Sequence, residues 1–190
     1  MLHLFLAPGF EEIEALTTLD ILKRCGVEVM VVAMTGKRLI AGAHGISVMA
    51  DSLFRRSIVA ESQGFILPGG MPGAENLMHH DGLRKALIAH NGDNKLIAAI
   101  CAAPMVIGEL GILSGKRATC YPGFEKHLKN ATHTGNMVEE DGNIITGKGP
   151  AAAVPFAFAI ASRFVDRETA RRVRYDMLFE EPKGMDSIIS

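Results

Sequence analysis

Short apolar runs bounded by Gly and Pro alternate along this chain with longer segments of helical periodicity, and that alternation most constrains its fold. Residues 2–7 are apolar apart from His3 and end at Pro8-Gly9; residues 27–34 are rich in the β-branched side chains that suit a pleated surface. Residues 64–67 end at Pro68-Gly69-Gly70, and residues 95–100 run straight into Cys101. Between them, residues 11–25 place Ile13, Leu16, Leu19 and Leu22 at helical intervals and stop at Gly26. A second helix is predicted over 74–90, divided near Asp81-Gly82, and a third over 104–110. A strongly apolar one follows over 151–164 with Pro155 in its first turn, and an amphipathic one over 167–177. Strands apolar on both faces must be covered on both faces. The expected fold is therefore α/β: one doubly wound, mostly parallel sheet with helices on each side, in a single domain spanning 1–190, with the tail 180–190 partly ordered.

Three segments fit less simply. Gly42 and Gly45 predict a bent antiparallel excursion over 37–49, residues 117–120 read as a short strand, and 136–146 as a hairpin turning at Asp141-Gly142.

Composition removes several function classes. Lys plus Arg number 20 against 21 Asp plus Glu, so no broad basic face exists for a nucleic-acid partner. The apolar runs 96–107 and 151–161 fall short of the roughly 20 residues that cross a bilayer. The first residues lack a basic flank and read as a strand rather than a signal peptide. Three widely separated cysteines, Cys25, Cys101 and Cys120, form no C-x-x-C pair. Neither a disulfide framework nor a thiolate zinc site is indicated, and a reducing, cytoplasmic setting is expected. No H-x-x-x-H, Walker or dinucleotide pattern occurs, so neither metal nor cofactor is expected, and the absence of G-x-S-x-G argues against a serine hydrolase.

In a doubly wound sheet the ligand crevice lies at the carboxyl ends of the strands, and three segments converge there: 8–14, 68–73 and 101–104. Cys101 stands between an apolar strand and a helix start, with small residues behind it that permit a sharp elbow. Taken alone, it is more simply a buried, inert thiol, the commoner fate of free cysteine. Facing free helix-start N–H groups, it would instead be held as a thiolate, with its pKa lowered. Glu14 shares a helix face with Glu11 and sits among Ile13, Ala15 and Leu16. Buried there, its carboxyl would have a raised pKa and could donate a hydrogen bond to a thiolate. Glu11 and Glu12 read as solvated first-turn carboxylates. Gly69-Gly70 allows backbone N–H groups to approach a bound oxygen, as an oxyanion hole requires, although a tight turn explains the pair equally well. His79, His80 and His90 fall in a polar helix and read as solvated.

Together, residues 8–20, the turn at Leu67-Pro68-Gly69-Gly70 with Gly73-Ala74-Glu75-Asn76-Leu77, Ala98-Ala99-Ile100-Cys101-Ala102-Ala103-Pro104, and 146–150 leading into an apolar helix resemble the ThiJ/PfpI family. The branch resembled is that of the human parkinsonism-associated deglycase and its bacterial relatives. The resemblance implies a flavodoxin-like, class I glutamine amidotransferase-like fold, usually as a homodimer packed through the first helix. By the family's motifs, Cys101 takes the place of the reactive elbow cysteine and Glu14 that of the buried glutamic acid beside it. Gly70 and Ala102 match the positions whose backbone N–H groups face the site. Two departures stand out. Ala102 follows the cysteine where the protease-like branch carries His, which argues against amidase or peptidase activity. Tyr121 precedes Pro122 in the pocket where several relatives have His. The implied activity is cofactor-independent removal of reactive dicarbonyls, of the glyoxalase or deglycase type, on small aldehydes or glycated protein. The alternative is an oxidative-stress sensor or redox-regulated chaperone with an oxidisable Cys101.

Overall fold

The computed structural model describes residues 1–179, less the side chain of Ile58. The expected partial order of 180–190 lies outside the described residues. In chain order, β1 (Leu2–Leu6) leads into α1 (Glu12–Arg24) and β2 (Val29–Ala33). The excursion β3 (Leu39–Ala41) and β4 (Ser47–Met49) pairs antiparallel, as Gly42 and Gly45 predict. Next come β5 (Ser52–Leu53), α2 (Arg56–Ala60), β6 (Gly64–Leu67), α3 (Gly73–Met78), α4 (Asp81–Gly92), β7 (Leu96–Ile100) and α5 (Pro104–Glu109). The last described elements are β8 (Arg117–Ala118), β9 (Thr132–His133), β10 (Val138–Asp141), β11 (Ile144–Gly147), α6 (Ala153–Ala161) and α7 (Arg167–Asp176).

Seven strands form one sheet in the order β10-β11-β7-β6-β1-β2-β5, parallel throughout except for β10 at one edge. Every residue of β1, β6 and β7 is buried, which is why these runs are continuously apolar rather than alternating. On one face α1 packs against α6; on the other, α4 contacts α2, α3 and β7, while α5 contacts α3 and β7. Phe5, Phe10, Phe65 and Phe156 are among the largest fully buried side chains. From β1 the chain first runs outward through β2 to β5, then returns to β6 on the other side of β1 and continues to β7. The order thus reverses between β1 and β6, the place where such sheets bind ligands.

Two local expectations change. Residues 117–120 contribute only β8, which pairs with β9 in a small separate sheet. Asp141 and Ile144 face one another across the β10–β11 turn, so the loop is Gly142-Asn143 and only Gly142 takes positive φ there. The helix α2 and the edge strand β5 have no clear sequence signal. The divided helix predicted over 74–90 is found as α3 and α4, and Pro155 stands in the first turn of α6 as predicted.

Candidate active site

The crevice at the switch point is built from two interlocked loops. Gly9 and Gly73 lie so close that a Cβ on Gly73 would sit 2.6 Å from the Gly9 carbonyl oxygen. The Glu11 amide donates to the Gly69 carbonyl at 2.9 Å, and the Gly73 amide donates to Gly9 at 3.1 Å. Gly70 has φ +86 and presses against the Glu11 nitrogen, where a Cβ would stand at 2.4 Å. Glycine is therefore obligatory at Gly70 for both conformation and space.

These loops hold Glu14. Glu11 caps α1, its Oε2 accepting from the Glu14 amide at 2.7 Å, and so fixes the first turn. The Glu14 side chain is 1% exposed and its Oε2 accepts from the Gly69 amide at 2.8 Å. Its Oε1 is buried and meets no amide or hydroxyl among the described residues; the polar neighbour of the carboxyl is the Cys101 side chain. Gly69 sits between the two. A Cβ there would lie 2.7 Å from Cys101 Cβ, 2.8 Å from Glu14 Oε2 and 2.9 Å from the Ala102 nitrogen.

Cys101 follows β7 with φ +66, a left-handed conformation that non-glycine residues adopt at a cost on the order of 1–3 kcal/mol. Its backbone is pinned from both sides: its N–H donates to Gly147 and its carbonyl accepts from Tyr121, both at 2.8 Å. The residue is 8% exposed, and the backbone amides of Gly70 and Ala102 act on its thiol in the direction that favours the thiolate. Sequence reasoning missed Gly147 as an anchor. Its only trace was a glycine ending a strand beside β7.

The electrostatics of the pair depend on where one proton sits. Burial pushes the Glu14 carboxyl up to about 7, against the opposing pull of hydrogen bonds from Cys101 and Gly69. With Glu14 ionised, burial and then the neighbouring carboxylate push the thiol up, outweighing the Gly70 and Ala102 amides. The thiol pKa, expected to be lowered, is therefore raised instead, with burial the main cause. With the proton on Glu14, the charge repulsion is gone and the carboxyl donates to sulfur. Three donors then converge on a thiolate, whereas an ionised Glu14 would leave two amides aimed at a neutral thiol, a weak acceptor. In either state burial, the largest cause, still raises the thiol.

Other expectations need correction. The Gly69 N–H is taken by Glu14, so Gly69 holds the carboxyl and is not an open oxyanion donor; Gly70 and Ala102 are the amides at the sulfur. Glu11 and Glu12 are buried rather than solvated, because each accepts hydrogen bonds that replace water. Glu12 accepts from the His44 amide and pairs with His44 Nδ1, both at 2.7 Å. These side chains bring ligand-type atoms of Glu11, Glu12 and His44 within 4.8 Å of one another, an arrangement their own hydrogen bonds account for. His90 is buried, stacked on Phe65; His80 caps α4. Tyr121 is 46% exposed, its ring beside Gly149, so its backbone supports the elbow while its side chain stands at the surface. Cys25 and Cys120 are buried and raised by desolvation, in keeping with inert thiols. Among the described residues no helix is long and apolar enough to cross a membrane.

Residues 2–163 match the model of the DJ-1/PfpI family. Protein DJ-1 homolog B of Arabidopsis thaliana is 34% identical over 186 residues, covering 97% of this chain and 42% of that one. The chain thus spans less than half the length of the Arabidopsis relatives it matches. A deglycase of Pyrococcus abyssi is 30% identical over 146 residues, covering 76% of this chain and 87% of that protein. The structure of oxidised Toxoplasma gondii DJ-1 is similar with a TM-score of 0.88 at 32% identity, covering 95% of this chain and 98% of that one.

Proposed function

Because the chain belongs to the DJ-1/PfpI family, we propose that it converts reactive dicarbonyls without a cofactor, through a Cys101 thiolate and a protonated Glu14. The observation that carries this reading is the elbow itself: Cys101 held at φ +66, two amides at its sulfur, and a buried carboxyl turned toward it. A strained residue pinned by two neighbouring loops is costly unless its side chain must stand where it does. The similarity to a protein named as a deglycase supports the substrate class.

With methylglyoxal, the thiolate adds to the aldehyde carbon, and the carbonyl electron pair takes the Glu14 proton to give a hemithioacetal. The Glu14 carboxylate then removes the proton from the same carbon. The bonding pair shifts onto the neighbouring ketone oxygen to give an enediolate, and Glu14 now holds the proton. Glu14 returns it to the second carbon while the hydroxyl proton of the first carbon passes to the adjacent oxygen, which gives a thioester; water cleaves this to lactate, restoring the thiol. Both transfers at carbon use Glu14, which is why burial that raises its pKa toward neutrality suits the chemistry. The protein acts as a homodimer joined through α1, whose Ile13 and Leu16 are exposed apolar residues one turn apart. A reducing, cytoplasmic compartment suits the three free cysteines.

Lactate formation from methylglyoxal is the test. Cys101→Ser and Glu14→Gln should each abolish it, and undiminished turnover in either removes the mechanism. The second reading, an oxidation sensor, has one specific support: the similar Toxoplasma protein was solved in an oxidised state. Selective addition of two oxygens to Cys101 under mild peroxide, without dicarbonyl turnover, would favour it.

A further inference from the structure

Between α2, α4 and the sheet a cavity of about 300 Å³ runs along α4, from Gly82 in its first turn to Asp93 just past its end. Lys95, at the latter end of its lining, precedes β7 and Cys101 follows that strand, so roughly 20 Å of extended chain separates this end from the elbow. Its aromatic lining is built deliberately close. The His90 ring lies flat on Phe65, with centroids 3.6 Å apart and planes 9° from parallel. Phe54 packs edge-on to His80 at 4.6 Å, an approach that needs Gly82, where a Cβ would meet the Phe54 ring at 2.7 Å. His90 is 4% exposed, and its Nε2 is buried with no hydrogen-bond partner among the described residues. Burial pushes that imidazole down to about 4, so it is neutral near physiological pH and adds an aromatic plate rather than a charge.

The charged part of the lining is different. Arg56 and Lys85 are exposed and Lys95 is half-buried, against a single lining acid, Asp93, which Lys95 meets at 3.7 Å. An apolar, aromatic lining with a cationic part suits one kind of small molecule: an apolar ring with an anionic head. The volume, at the lower end of ligand-site sizes, limits it to about one ring and a short arm.

We propose that this cavity is a second binding site, separate from Cys101, for a small aryl carboxylate, its ring between Phe54 and the His90–Phe65 stack and its carboxylate among Arg56, Lys85 and Lys95. The ring replaces water against apolar walls, and the carboxylate exchanges water for charge-assisted hydrogen bonds. A neutral ring of the same shape gains only the first.

The test is titration of the isotopically labelled full chain with phenylacetate and, separately, with phenylacetamide, followed by amide NMR. Phenylacetate should give saturable shifts at Phe65, Ala86 and Ala89 with none at Cys101 or Ala102. Phenylacetamide should bind about tenfold more weakly, the loss of one charge-assisted contact. Ala86→Leu, which fills the cavity, should remove binding of both. Lys85→Gln, at an exposed position that does not endanger folding, should weaken phenylacetate alone and leave lactate formation unchanged. Cys101→Ser should bind phenylacetate as the unmodified chain does. Equal affinity for acid and amide, shifts centred on the elbow, or no saturable shift at the cavity would each overturn the proposal.

Discussion

The Gly69 amide donates to Glu14 Oε2 at 2.8 Å, and the volume a Gly69 side chain would need is already filled by that oxygen and by Cys101 Cβ. One glycine thus sets the position of the acid and, through its missing Cβ, the distance from acid to thiol.

Gly69→Ala should therefore separate the pair without removing either group. A misplacement near 1 Å is expected to cut kcat/KM about 100-fold, and the overpacked site to lose about 1–3 kcal/mol of stability. Gly36→Ala, with open space around it, should change neither. Kinetics and thermal melts of the two variants, side by side, decide the point. Full activity in Gly69→Ala would mean that the close approach is incidental.

The Glu12–His44 pair should appear in the pH dependence of stability. Burial alone would raise Glu12, but hydrogen bonds from His44 outweigh it and hold the carboxyl below 4.5; the same pair, by hydrogen bond and charge, holds His44 above 6.5. A depressed acid contributes stability above its unfolded pKa and loses it as pH falls through the folded value. A raised histidine contributes below 6.5 and loses it as pH rises through its folded value. The destabilisation caused by His44→Gln should therefore be largest between 4.5 and 6.5 and shrink on either side. A difference in melting temperature that does not vary with pH would show that the ion pair contributes nothing.

Much of this was legible in the residues. Continuous burial of β1, β6 and β7 follows from their unbroken apolar runs, and the convergence of residues 8–14, 68–73 and 101–104 follows from the strand order those runs imply. What periodicity could not show was partnership at long range. Glu12 looks like any first-turn carboxylate until His44, far along the chain, folds back onto it. His90 reads as a polar helix residue because its burial depends on Phe65 in a neighbouring strand. Gly69 was recognised as a close-approach glycine, but which group its amide meets is set by the position of α1 relative to β6, a tertiary fact.

Ile13 and Leu16, 55% and 36% exposed on one face of α1, are the residues on which dimerisation should depend. Leu16→Glu is expected to shift the chain from dimer to monomer in sedimentation velocity while leaving its circular dichroism unchanged. A chain already monomeric at micromolar concentration would remove α1 as an interface.

The central claim is that Cys101 and Glu14 share one proton and that it rests on Glu14, leaving a thiolate. Alkylation rate against pH, measured at Cys101 in the unmodified chain, Glu14→Gln and Glu14→Leu, tests it most directly. The account predicts a thiol titrating below its reference of about 8.5 in the unmodified chain, little changed by Gln, which keeps a donor, and raised by Leu, which removes it. A thiol that titrates above the reference in the unmodified chain and falls when Glu14 becomes Gln would contradict it, because that is the behaviour of a neutral thiol beside an ionised carboxylate.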